Sequence, residues 1–400
     1  MKKTILICVV SAVVLVMLMS FSLTGCKTAV VTETTAAVVT ETTAAVAAET
    51  TVAAAETTAA AAETTAAGKE IKLGMIPKFT GVDYFIACEN GAKKAAADLG
   101  ITLDWQGDPS GQESAAKQQA YIQTFIDKGY DALLISALDP DTYADTLKQA
   151  KTKGIKVITW DADVQPAARD FFINQTENSA LGTILMANMG KELKDKGGMV
   201  AICSSDPNAS NQNAWIKAIM DEYNSKKTTD YSKITFFDKI IYAGNNQADA
   251  DKAVAALLTQ NPDITGVFAI SSMAVPATGK ACTDLKKPIG SIAIQGVGVP
   301  VTAVDNMKSG LMKSVVLWQP YDLGYLTVEF ATKFINGEVK VGDTSFKSSL
   351  SGKTQLGDLN YEDSHKILPD GQVILGLPIV YTLDTVDGFK GYPDATSGLK

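Results

Sequence analysis

The run Lys156-Val157-Ile158-Thr159 ends in Trp160-Asp161-Ala162-Asp163, two carboxylates beside an indole. Four chemistries fit Asp161: a cap, a metal ligand, a catalytic acid, or an acceptor for ligand hydroxyls. Other apolar runs also end in polar or aromatic residues. Lys78 follows Leu73–Ile76, with Tyr84 and Phe85 close behind. Asn211 and Gln212 follow the run ending at Cys203, Ile270 and Ser272 follow Val267–Ala269, and Trp318 closes Val315–Leu317. Together they supply one lysine, one or two carboxylates, amides, hydroxyls and rings. A carboxylate accepts hydroxyl hydrogen bonds, an amide both donates and accepts, and ring faces pack on C–H faces. The set suits a neutral, hydroxyl-rich ligand.

Each residue also has a purely structural reading. Lys78 could lie on the surface, Asp161 could cap a turn and Asn211 could cap a helix. Asp163 reads as a turn or solvent-facing residue. Tyr84, Phe85, Trp160 and Trp318 are core or cleft wall, and Arg169 is expected to salt-bridge the two halves of the chain. Position after a strand favours the site for Lys78 and Asp161, because ligands of open parallel sheets bind beyond the strands' carboxyl ends.

Other chemistries have little support. The net charge of −8 and the single arginine, Arg169, argue against nucleic acid. His365 is the only histidine, which disfavours a Ser-His-Asp mechanism and multi-histidine metal sites. No GxxxxGK[ST] loop occurs, and Gly296-Val297-Gly298-Val299-Pro300 lacks dinucleotide spacing. Cys88, Cys203 and Cys282 show no CxxC spacing and read as buried free thiols. No cofactor, metal or catalytic residue is expected.

From about residue 69 the chain alternates strand-like and helix-like segments, the pattern of parallel strands joined by right-handed crossovers. A second series starts at Gly198, so the fold expected is α/β with two lobes, each a parallel sheet flanked by helices, and a ligand cleft at the hinge. The boundaries read as 69–174 for the first lobe and 175–317 for the second. Residues 318–375 return to the first lobe with a loop-rich insertion over 338–372, and 376–400 form a terminal crossover and tail. Residues 169–180 are read as a crossing segment.

The start of the chain differs. Lys2 and Lys3 precede an apolar run, and Leu23-Thr24-Gly25-Cys26 follows it. This reads as an export signal over residues 1–25 and resembles the bacterial lipobox, which implies a lipidated Cys26. An uncleaved membrane anchor is the alternative. Residues 26–68 repeat Glu-Thr-Thr among alanines and cannot build a core. As a coil, about 40 residues span roughly 35 Å, enough for a tether.

The stretches IPKFTGVDYF, KGYDALLISALDPD, GIKVITWDAD, SNQNAW and LWQPYDLGY resemble ribose-type periplasmic binding proteins, the solute receptors of sugar ABC importers, over about residues 70–382. Rhamnose-binding and autoinducer-2-binding receptors are the nearest groups. The resemblance implies a type 1 periplasmic binding protein fold, with Lys78 and Asp161 as ligand residues. The second acid of the autoinducer pattern falls on Asn211 and its glutamine on Gln212. Its proline and alanine fall on Ile270 and Ser272. These departures favour a rhamnose-like deoxy sugar. The partners implied are a monosaccharide, an ABC permease and, through a lipid anchor, the membrane. The protein is expected as a monomer, outside the cytoplasm. Open alternatives are an autoinducer-2 receptor, a signalling lipoprotein, and an extracellular carbohydrate-active enzyme using Asp161 and Asp163.

Overall fold

The structure, a computed structural model, describes residues 70–109, 113–194 and 196–389. The export signal, Cys26, the tether and the tail from residue 390 lie outside the described residues.

The first lobe starts with β1 (Lys72–Ile76), α1 (Asp83–Leu99), β2 (Thr102–Trp105) and α2 (Ala115–Asp127). It continues with β3 (Ala132–Ile135), α3 (Ala144–Thr152), β4 (Lys156–Trp160) and β5 (Phe171–Thr176). The second lobe takes α4 (Asn178–Leu193), β6 (Gly198–Ser204), α5 (Ser210–Lys226), β7 (Ile234–Tyr242) and α6 (Gln247–Gln260). It ends with β8 (Ile264–Ala269), α7 (Ala274–Asp284), β9 (Ala293–Gly296), α8 (Pro300–Lys308) and β10 (Val315–Leu317). Helix α9 (Pro320–Ile335) returns to pack on α1. The short strands β11 (Ser345–Phe346), β12 (Thr354–Leu356), β13 (Leu359–Asn360) and β14 (His365–Lys366) follow. Strands β15 (Gln372–Gly376) and β16 (Ile379–Tyr381) come last.

Two parallel sheets result, ordered β15-β5-β4-β3-β1-β2 and β7-β6-β8-β9. In both, the first strand of the lobe sits between its second and third, so the topological switch lies beside β1 and beside β6. That is where an open parallel sheet leaves a crevice beyond its strand ends. The strands are apolar because helices cover both faces; every residue of β3 is buried. Helices α1 and α9 approach closely through two glycines. A Cβ on Gly91 would stand 1.8 Å from the Tyr321 carbonyl, and one on Gly324 would stand 1.9 Å from that of Cys88.

Several details correct the sequence reading. Residues 171–176 are a full strand of the first sheet, so the chain crosses after it, and the unforeseen α4 follows. On α2 Ala120 is exposed, and Gln118 is buried beside Ile122, Phe125 and Ile126 on the inward face. Arg169 does not join the lobes: its guanidinium holds Asp163 at 2.7 and 2.8 Å and the Asp370 carbonyl at 2.9 Å. It thereby ties β4 to the approach of β15 within one sheet. The 338–372 segment is not plain loop. Strands β11 and β14 pair, as do β12 and β13. Cys88, Cys203 and Cys282 are free and buried.

The chain passes between the lobes three times: after β5, between β10 and α9, and between β15 and β16, which pairs with β10. The insertion touches all three passages. Lys366 reaches Glu177 beside the first at 2.7 Å. Gln319 donates to the Gln355 carbonyl at 3.2 Å, and the Tyr361 hydroxyl donates to Asp322 at 2.8 Å, at the second. Gln355 donates to the Leu377 carbonyl of the third at 2.9 Å.

Candidate functional site

The loops beyond the strand ends of both lobes enclose a cleft of about 330 Å³. Lys78, Tyr84, Phe85, Asn211, Gln212, Ile270, Ser272, Trp318 and Asp161 all line it. Trp160 does not. It is fully buried, 5.9 Å from the Phe85 ring and 5.7 Å from that of Trp105. Side chains alternate along a strand, so Trp160 turns into the layer between sheet and helix while the chain bends at Asp161.

Asp161 has φ of 61°, one of three non-glycine residues with positive φ among the described residues. Such a conformation costs about 1–3 kcal/mol and persists where surrounding structure enforces it. The enforcement is visible. Its N–H donates to the Ile173 carbonyl at 3.2 Å, and Gln175 donates to its carbonyl oxygen at 2.7 Å. Its carboxylate accepts from the Tyr84 hydroxyl at 2.9 Å, Gln175 Nε2 at 2.9 Å and Ser136 Oγ at 2.7 Å. At 3% exposure it is fixed at the floor of the cleft. Burial, then the Asp161 charge, pushes the Tyr84 hydroxyl well above its ordinary pKa, so it stays a donor.

Lys78 is the only lysine or arginine among the lining residues, against Glu113, Asp139, Asp161 and Asp206. Burial lowers its pKa, while Asp161 and Asp206 pull the other way. An acidic excess of this kind repels anions and suits neutral polar ligands. Gln118, on α2, positions two of the loops. Its Nε2 donates to the Pro77 and Ser136 carbonyls at 2.8 and 2.9 Å, and its Oε1 accepts from Leu138 N and the Tyr143 hydroxyl at 3.0 and 2.6 Å.

The second wall is neutral at its centre. Helix α5 starts at Ser210 with Ala209 as its N-cap, so Asn211 lies in the first turn rather than at the cap, and its Oδ1 accepts from Gln212 N at 2.9 Å. Asn211 Oδ1 accepts from Lys78 Nζ at 3.3 Å, across the cleft. Gln212 lines the cleft, yet its amide is engaged by its own lobe. Oε1 accepts from Ser204 Oγ and Ser205 N, both at 2.7 Å, and Nε2 donates to Ser205 Oγ at 2.9 Å. Two further bonds join the walls: Asn208 Nδ2 to Asp139 at 3.2 Å, and Ser210 Oγ to the Asp163 carbonyl at 3.0 Å. Trp318 stands between the walls, its ring 6.1 Å from Tyr84 and 5.6 Å from Trp215.

Asp163 is neither solvent-facing nor beside Asp161 in the cleft; Arg169 and Thr159 take its carboxylate. The two acids therefore do not flank a common space. Among the described residues no cluster of three or more His, Cys, Asp or Glu could hold a metal. Sequence reasoning missed Ser136, Gln175, Trp215 and Gln118. Ser136 was open to the rule that found Asp161, being the first polar residue after β3. Gln118 carried no such signal.

Residues 73–338 match the periplasmic binding protein domain family. The ribose import binding protein of Bacillus subtilis is 24% identical over 281 residues, covering 68% of this chain and 83% of that protein. An ABC transporter solute-binding protein from Clostridium phytofermentas, solved with bound L-rhamnose, has TM-score 0.71 at 24% identity and covers 80% of this chain and 98% of its own. LsrB from Clostridium saccharobutylicum in complex with AI-2 has TM-score 0.68 at 24% identity, covering 80% and 100%. These likenesses establish the two-lobed fold. Among the described residues no helix is long and apolar enough to cross a membrane.

Proposed function

The chain belongs to the periplasmic binding protein domain family, and from that premise we propose that it is an extracytoplasmic receptor of an ABC importer for a neutral monosaccharide. The carrying observation is the small cleft between lobes, with one fixed carboxylate, one lysine and aromatic walls. Its volume, about 330 Å³, falls at the low end of small-molecule sites, roughly 300–1,000 Å³. A single sugar ring suits it better than an oligosaccharide. Asp161 takes a ligand hydroxyl, Lys78 and Asn211 take others, and Phe85, Trp318 and Ile270 pack its C–H faces.

A rhamnose-like deoxy sugar is favoured, since apolar Ile270 and Val297 beside the rings can receive a methyl group. The bound L-rhamnose of one structural relative supports this reading. Autoinducer-2 is the second reading, supported by the AI-2 complex of another. Titration calorimetry against L-rhamnose, autoinducer-2, D-ribose, D-galactose and leucine tests the proposal. Heat with a sugar and none with leucine is expected; leucine binding, or silence with every sugar, would overturn it.

Closure about a hinge is general behaviour of periplasmic binding proteins. What is specific here is the assignment of Lys78 and Asp161 to one wall and Asn211 and Ser272 to the other. Only the closed form gives a ligand both sets of contacts, and that differential affinity drives closure. The closed surface is then presented to a membrane permease. The chain works as a monomer tethered through lipidated Cys26, and it binds without turnover. Cys26→Ala should lose label from a fatty-acid analogue, because a thioether needs the thiol. Unchanged labelling would exclude the anchor.

A further inference from the structure

The hydrogen bonds already made by Asp161 limit what it can offer a ligand. A carboxylate has about four acceptor positions, two on each oxygen. Tyr84 and Gln175 occupy Oδ1, and Ser136 occupies one position of Oδ2. One position on Oδ2 is left. The three donors do not arrive from the same side. Ser136 and Gln175 are fully buried and do not line the cleft, whereas Tyr84 does. The Tyr84 proton also has its direction set. Trp318 Nε1 approaches the Tyr84 oxygen at 2.9 Å, and an indole N–H only donates. Tyr84 must accept there, and its own proton goes to Asp161.

We propose that Tyr84 is a specificity-determining residue, which fills from inside the cleft the acceptor position that a second ligand hydroxyl would need. Asp161 is thereby limited to one hydroxyl. A ligand with an isolated hydroxyl on this side, its neighbour absent or turned away, loses nothing. A ligand with two adjacent hydroxyls directed at Asp161 leaves one desolvated without an acceptor. This inference rests on the monosaccharide reading and narrows its substrate class.

The test is calorimetry of the full chain and its Tyr84→Phe variant with L-rhamnose, D-ribose and D-galactose, then with the monodeoxy analogues of whichever binds most tightly. Phenylalanine keeps the ring that meets Phe85 at 5.0 Å and Trp318 at 6.1 Å. In Tyr84→Phe a hydroxyl whose removal the unsubstituted protein tolerates should become needed, its deoxy analogue binding about tenfold more weakly than the parent sugar. Adding Asp161→Asn should abolish that new requirement. Trp318→Phe, which releases the Tyr84 proton from its fixed direction, should give the same change in weaker form and stands in if Tyr84→Phe does not fold. An unchanged order of deoxy analogues, or a new requirement that survives Asp161→Asn, would overturn the role of Tyr84. Failure of the unsubstituted protein to bind any of the three sugars would overturn the monosaccharide reading itself, and this inference with it.

Discussion

The two walls of the cleft are built on the same strand order but hold their polar groups differently. In the first lobe the central group is a charge. Asp161 is buried, backbone-strained and surrounded by donors from α1, β5 and the end of β3. In the second lobe the central groups are amides, and Gln212 is bound to its own strand end. The contrast assigns different work to the two walls. The first wall is held by its own bonds, which on the proposed function lets it receive a ligand alone. The second wall adds bonds only when the lobes meet, through Asn211, Asn208 and Ser210.

Substitutions can break that contrast. The largest effect is expected from Asp161→Ala. A ligand hydroxyl loses its charged acceptor, and affinity should fall by roughly 2–4 kcal/mol. A loop position suggests little change in stability, but the structure argues otherwise. Three buried donors lose their acceptor, each at a cost of about 1–3 kcal/mol where water cannot replace it. Calorimetry and thermal melting should both register the change. A twofold or smaller loss of affinity would remove Asp161 from the site.

Gln212→Ala should act mainly on stability. Ser204 and Ser205 lose their common partner on α5, at a cost of about 1–3 kcal/mol. Affinity should fall less than for Asp161→Ala. An equal loss would mean that Gln212 contacts the ligand directly, and the walls would be alike. The smallest effect belongs to Asn208→Ala, an exposed rim contact worth about 1 kcal/mol or less. Its expected signature is conformational: small-angle scattering should show a larger radius of gyration without ligand and compaction when sugar is added. No difference from the unsubstituted protein would mean that the rim bond does not hold the lobes together.

The alternation of strands and helices was legible because buried parallel strands are continuous apolar runs, and the cleft residues were legible because they end those runs. Position in a run does not fix direction, however. Trp160 and Asp161 are adjacent: strand alternation turns the first into the core, and the bend at the positive φ of Asp161 carries the second to the cleft. Buried polar residues were harder still. Gln118 reads as a surface residue of an amphipathic helix, because the four groups it satisfies lie in two loops distant from it in sequence. Helix α4 was hidden by the polar residues before it, although Leu181, Leu185, Met186 and Met189 carry its stripe. The paired strands of the insertion are two or three residues long, too short for any period to show.

That insertion has a mechanical consequence. Three separate connections between two bodies would ordinarily permit twisting and sliding as well as bending. Here Lys366, Gln355 and Tyr361 fasten groups beside all three to one small block. Motions that displace one connection against another must break those bonds, while a rotation that carries all three together need not. The joint then behaves less like a swivel than like a door hinge with one axis. In the hinge closure proposed for this receptor, the cleft would then reopen and reclose along one path, with Asn211 meeting Lys78 in the same register each time.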